Sequence, residues 1–130
     1  TLVPICLLID SFLRTKYIFN SLYLDSQIIK NTILVQPRSL TDRISGLRNY
    51  PSIDTNTYLL LKTKSIHTIG MHFPITIIYL KKNGTILEIK ENIKPNKFIF
   101  KYPHGTHYIL EMSIKNTIPF DINSKLTWEK

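Results

Sequence analysis

The sequence holds a single cysteine, Cys6, so no disulfide can form within the chain, and a lone thiol leaves the redox compartment open. It has no window approaching the ~18 apolar residues that a membrane-spanning helix needs. Internal repeats, long linkers and low-complexity tracts are missing too. Acidic residues are scarce, with 9 Asp and Glu against 17 Lys and Arg. What remains is a chain of 130 residues, 43% apolar and 20% charged, far from the composition of disorder and long enough for one core without disulfides or metal. The formal charge of +8 favours contact with nucleic acid, acidic proteins or lipid headgroups. Abundant Ile, Asn and Lys would also follow from an AT-rich coding sequence, so charge alone does not select a partner.

The densest apolar run is "TLVPICLLIDSFLRTKYIF" at the N-terminus. Asp10 lies inside it, and neither a basic leader nor a small-residue cleavage site flanks it, which argues against an ordinary signal peptide. Pro4 suits the first turn of a helix, and Ile5, Leu8, Ile9, Phe12, Leu13 and Phe19 recur at helical spacing. We expect residues 1–24 to form an apolar extension, helix or arm, that packs on its own domain or docks on a partner through Leu2, Ile5, Leu8, Ile9, Phe12 and Leu13. A single domain is expected over 25–130.

After Phe19 the pattern shortens to strand-like pieces, "SLYLDS" and "QIIKNTILVQ", the latter rich in β-branched residues and closed by Pro37. Ser39 or Thr41 can cap, and Gly46 can stop, one short helix near 40–46. From Thr57 on, "TYLLLKT", "ITIIYL", "TILEIKENI", "KFIFKY" and "HYILEMSI" all suggest strands, and Asn83-Gly84 between two of them suggests a type I′ hairpin turn. The expected fold is mainly β within an α+β plan: a compact sheet or barrel-like domain with that one helix. Ile75, Ile77, Ile78, Leu87, Ile89, Phe98, Phe100, Ile109 and Leu110 are the expected core.

The segments "LTDRISGL", "SIHTIGMHFPITIIYL", "NGTILEIKENIKP" and "HYILEM" together resemble the domain of unknown function 192 family, from about Val35 to Leu126. The resemblance implies a small β-rich fold with a short helix and brings no established reaction, cofactor or substrate. Two positions depart from the family pattern: Thr76 stands where many relatives have Asp, and Thr63 where they have Cys. The usual C-terminal glycines give way to "SIKNTIPFDINSKLTW". Relatives often look exported, which favours the cell envelope or periplasm, while the missing leader leaves cytoplasm or organelle open.

Candidate site residues fall in two groups. Ser65, His67, Thr68, Met71 and His72 form the first, a candidate ligand face. His67 and His72 are five apart, so an unbroken strand points them to opposite sides; a bulge at Gly70 would be needed before zinc or copper could join them with His104 or His107. Met71 would suit only a softer metal. The competing role for His67 is an imidazole whose nitrogens serve backbone groups near Gly70. Ser65, His67 and Asp54 lack any nucleophile elbow, so hydrolysis is not expected.

The second group is Lys81, Lys82, Lys90, Lys94, Lys97 and Lys101, set against Glu88 and Glu91 within residues 81–102 for a local net charge of +4. Strand alternation separates Phe98, Phe100 and Tyr102 from Lys97, Ile99 and Lys101, so the aromatics are expected in the core and the lysines in solvent, in contact with phosphates at most. The sequence therefore points to a non-enzymatic structural or protein-interaction module, a subunit or accessory part of a larger assembly, with no cofactor and no metal. The alternatives are a small-ligand or metal-binding module on the Ser65–Met71 face, and a basic component of a ribonucleoprotein. If Phe100 is core, truncation to Ala costs about 3–5 kcal/mol in a melting experiment.

Overall fold

Runs of β-branched and aromatic residues separated by Gly, Asn and Pro make strands, and the computed structural model describes residues 15–19, 21–37 and 52–129. In chain order these strands are β1 (Thr15–Phe19), β2 (Ser21–Leu24), β3 (Gln27–Ile29), β4 (Ile33–Pro37), β5 (Thr57–Leu61) and β6 (Ile66–His67). They continue with β7 (Ile75–Leu80), β8 (Ile86–Ile93), β9 (Phe98–Ile99), β10 (Tyr108–Ser113) and β11 (Leu126–Glu129). The fold is mainly β, with no helix among the described residues. The helix expected near 40–46 lies outside them.

The main sheet runs β1-β4-β5-β10-β7-β8 and is open, ending on β1 at one edge and β8 at the other, so the barrel-like expectation is corrected. Its pairs are antiparallel except β4 with β5, whose connection runs from Pro37 to Thr57 as a parallel crossover requires. A second sheet, β11-β2-β3, and a two-stranded ribbon, β6-β9, complete the described strands.

The central strands are covered on both faces, which is why "ITIIYL" is buried throughout and, Thr76 apart, runs apolar instead of alternating. Leu59, Leu61, Ile75, Ile77, Tyr79 and Ile109 face one core, closed by Ile53, Ile66, Met71, Phe73 and Ile93. Tyr58, Leu60, Ile78, Leu80, Leu110 and Met112 face the other, closed by Leu22, Leu34, Ile86 and Leu126. Leu87 and Ile89 are only partly buried at the margins of these cores. Within the 1–24 segment that the sequence sets apart as an extension, Thr15–Phe19 and Ser21–Leu24 are strands β1 and β2, and Leu22 is buried in the second core. The docking residues Leu2, Ile5, Leu8, Ile9, Phe12 and Leu13 lie outside the described residues.

The β7–β8 hairpin forms where Asn83-Gly84 places it, but not as a type I′ turn. Only Gly84 has positive φ, at 91°. Its N–H donates to Lys81 O at 2.9 Å, and the Lys81 N–H donates to Thr85 O at 2.9 Å, the pattern of a type I turn closed by a glycine bulge. A Cβ on Gly84 would collide with the Leu126 carbonyl oxygen, because the Leu126 N–H donates to Gly84 O at 2.9 Å and draws the two backbones together. This contact seats β11 on the hairpin.

The ribbon overturns the expected burial of the aromatics. Ile66 pairs with Ile99 and His67 with Phe98. Ile66 and Ile99 turn toward the first core, so Phe98 and Phe100 turn outward and are 56% and 67% exposed. The alternation was legible, but the side chosen for the core was wrong: Ile99, not its aromatic neighbours, fills the available space.

Ile77→Ala and Leu110→Ala should each cost about 2–5 kcal/mol. Phe100→Ala should cost below ~1 kcal/mol, as surface truncations do. Chemical denaturation of the three variants checks the difference, and a Phe100 loss equal to the other two would return that ring to the core.

Candidate functional site

The ribbon is built around Thr68, which is fully buried. Its hydroxyl donates to Lys94 O at 2.7 Å and accepts the Lys97 N–H at 2.9 Å. Its N–H donates to Lys97 O at 2.8 Å, and its carbonyl accepts the Asn96 N–H at 2.9 Å and the Met71 N–H at 3.2 Å. Asn96, at φ 62°, returns a side-chain bond: its Oδ1 accepts the Gly70 N–H at 3.0 Å. Tyr79 ties down the far end, its phenol donating to Lys101 O at 3.2 Å. Burial, with the Glu88 carboxylate adding to it, pushes that phenol up to about 12, so it keeps its proton and stays a donor.

The outward face that results is aromatic. Phe98 and Phe100 stack with ring centroids 5.2 Å apart and planes 14° apart. The His67 imidazole adjoins Phe98 at 5.8 Å. Two residues beyond Phe100, Tyr102 is 47% exposed, and the Lys64 ammonium sits 5.8 Å from its ring centroid. Lys62, Lys64 and Lys82 bear on His107, whose imidazole is held below its ordinary pKa by desolvation and then by these three charges. His107 in turn meets Tyr108 edge-on at 4.5 Å, and Tyr108 meets Trp128 at 5.5 Å.

The first candidate group does not form one exposed face. Thr68 and Met71 are buried, Ser65 and His67 half-buried, and His72 exposed. The chain turns at 68–71, with Gly70 at φ 81°, and His67 Nδ1 accepts the Ile69 N–H at 3.3 Å. Among the described residues no three His, Cys, Asp or Glu side chains are grouped to hold a metal ion. Of the second group, Lys81, Lys82, Lys94, Lys97 and Lys101 are exposed; Lys90 is half-buried, 3.8 Å from Glu88 and 5.4 Å from the Tyr79 ring centroid.

Sequence reasoning missed three features. Lys62 and Lys64 fall outside the lysine-rich tract, and only the fold brings them to Tyr102 and His107. Glu111 is wholly buried on β10, in register with Leu59 and Ile77; alternation from Ile109 was the available signal. Two clefts were also unforeseen. One of about 290 Å³ runs between Ile53, Phe73 and Ser113, and one of about 270 Å³ is bordered by Thr76, Met112 and Phe120.

The pattern of the domain of unknown function 192 family (DUF192, "Uncharacterized ACR") matches residues 27–124. The chain belongs to this family. Two solved structures share the fold. One is a candidate transcription regulator from Sinorhizobium meliloti 1021, with TM-score 0.62 and 15% identity, covering 75% of this chain and 81% of that one. The other is a protein of unknown function from Novosphingobium aromaticivorans DSM 12444, with TM-score 0.61 and 14% identity, covering 75% and 76%. No curated protein matches the chain. Among the described residues no helix is long and apolar enough to cross a membrane. β1 and β2 precede the family match, and β11 follows it.

By NMR titration the His107 midpoint should fall below 6.5. Replacing Lys62 and Lys64 with Ala removes two of the charges that oppose protonation, so the midpoint should rise. An unchanged midpoint would show that these ammonium groups do not bear on the imidazole.

Proposed function

We propose that this domain is a non-enzymatic interaction module that docks an anionic partner within a larger assembly, using the outward face of the β6–β9 ribbon and the lysines beside it. The observation that carries this reading is the exposed stack of Phe98 on Phe100. Large apolar rings leave water readily, and a backbone fixed by Thr68 holds them in place without further ordering cost. Lys64, over the Tyr102 ring, gives this face a charge preference, and the exposed Lys97 and Lys101 adjoin it in sequence, in keeping with the overall +8. Rings and an ammonium group held on one ribbon suit recognition of a flat, anionic surface. A small-ligand role for the Ser65–Met71 stretch is less well supported, since the Thr68 hydroxyl is committed to backbone partners.

Retention on immobilised heparin tests the charge requirement. The wild-type domain should bind at low salt and elute as salt rises, because exposed charges are screened beyond about 10 Å at 0.1 M. Joint replacement of Lys64, Lys97 and Lys101 by Ala should advance elution, while the same changes at Lys30, Lys115 and Lys125 should advance it less. Equal effects from both triple variants would mean that net charge, not this face, does the binding.

A further inference from the structure

We propose that the anionic partner is single-stranded nucleic acid, its bases stacking on the Phe100 and Tyr102 rings and its phosphates held by the lysines around them. The inference rests on the docking face argued above and assigns its occupant. Four observations converge on this chemistry.

First, the two phenylalanine rings are close to parallel, 14° apart, and both are more than half exposed. An apolar patch meant for a protein surface is normally completed by a pocket that takes an anchoring side chain. Neither the cleft beside Ile53 and Phe73 nor the one beside Thr76 and Met112 is lined by Phe98, Phe100 or Tyr102. Flat rings outside both of these clefts fit flat ligands, and every base has a π-face.

Second, a cation lies against the Tyr102 ring, where the phosphates of a strand stacked on the rings would pass. Lys64 sits over Tyr102, and Lys62 and Lys82 continue toward His107; Lys97 and Lys101 are exposed next to the rings in sequence, on the side of Ile99. Aromatic stacking beside a cationic track is the arrangement that binds single strands without reading sequence.

Third, acid is sparse along this track. Glu88 and Glu91 are the carboxylates within residues 81–102; Glu88 is engaged with Lys90, and Glu91 borders the cleft beside Met112 and Phe120 rather than the ribbon.

Fourth, the strands are short and the platform is narrow, with the ring-bearing strand β9 spanning only Phe98–Ile99. A duplex hides its base faces within its own stack, whereas a single strand exposes them.

Fluorescence anisotropy with labelled oligouridine and oligodeoxythymidine of about 12 nucleotides, a length within the usual single-domain site sizes, tests the proposal. The wild type should bind both, and the duplex of oligodeoxythymidine with oligodeoxyadenosine more weakly. Phe100→Ala and Tyr102→Ala, checked for folding by circular dichroism, should each weaken binding about 10-fold, a typical loss for one stacked base. Their salt dependence should be unchanged. Lys64→Ala should instead lower the slope of log affinity against log salt by about 0.7, the share of one phosphate on a single strand.

An abasic oligomer of equal length and an oligoglutamate peptide supply the contrary arms. If the abasic strand binds as tightly as oligouridine and the ring variants bind like wild type, stacking is wrong while docking of an anion survives. If oligoglutamate binds more tightly than either nucleic acid, in a manner that depends on the rings, the occupant is an acidic protein segment and the assignment falls. If no polyanion binds, the docking reading falls as well. Equal affinity for oligouridine and oligodeoxythymidine identifies a platform that ignores the 2′-hydroxyl, and a preference for oligouridine identifies RNA as the ligand.

Discussion

The bonds that Thr68 makes to Lys94 and Lys97 decide what the rest of the exposed face looks like. A hydroxyl that donates to one carbonyl and accepts one N–H fixes the 94–97 turn against the end of β6, and with it the register of Ile66 to Ile99 and His67 to Phe98. A slip of one residue would reverse every side chain on the short β9 strand. Ile99 would leave the first core and the phenylalanines would enter it. A buried hydroxyl satisfied on both sides is strong support for one register, because losing either bond strands a desolvated polar group at a cost of about 1–3 kcal/mol.

This local device works because the sheet behind it is already stable. β5, β10 and β7 lie inside the six-stranded sheet and are buried on both faces, so the two cores depend on the same strands. The ribbon closes the first core with Ile66 and Ile99 and contributes little else inward. Its outer surface is therefore open to vary in sequence without loss of fold, which suits a recognition surface on a rigid scaffold. The same reasoning separates Gly84 from the site: its approach to Leu126 joins hairpin and β11, and its role is architectural.

Much of the fold was legible in the sequence because hydrophobic period and turn residues are local signals. The strands at 57–61, 75–80, 86–93 and 108–113 fell where β-branched runs placed them, and the hairpin fell at Asn83-Gly84. Burial was legible where a strand is covered on both sides, as in "ITIIYL". It failed at "KFIFKY", where period two gives two faces but not which of them meets a core; the partner strand decides that, and β6 lies some 30 residues earlier in the chain. Size was the misleading cue, since two phenylalanines outweigh one isoleucine in any count of apolar area. The turn type failed for a related reason: Asn83-Gly84 permits positive φ at both positions, and the contact with Leu126 selects a bulge that uses only one. Membership of the family was legible from the Ser65–Phe73 stretch and its neighbours, and it fixes the fold while leaving the partner open.

We propose the outward face of the β6–β9 ribbon as the binding surface. Amide chemical-shift mapping on the isotopically labelled domain, titrated with a single-stranded oligonucleotide, addresses it residue by residue. The largest changes should fall within 62–69 and 97–107, with the His107 ring protons moving as phosphates neutralise the lysines around it. Changes centred instead on the cleft between Ile53, Phe73 and Ser113, with the ribbon amides unmoved, would contradict the claim.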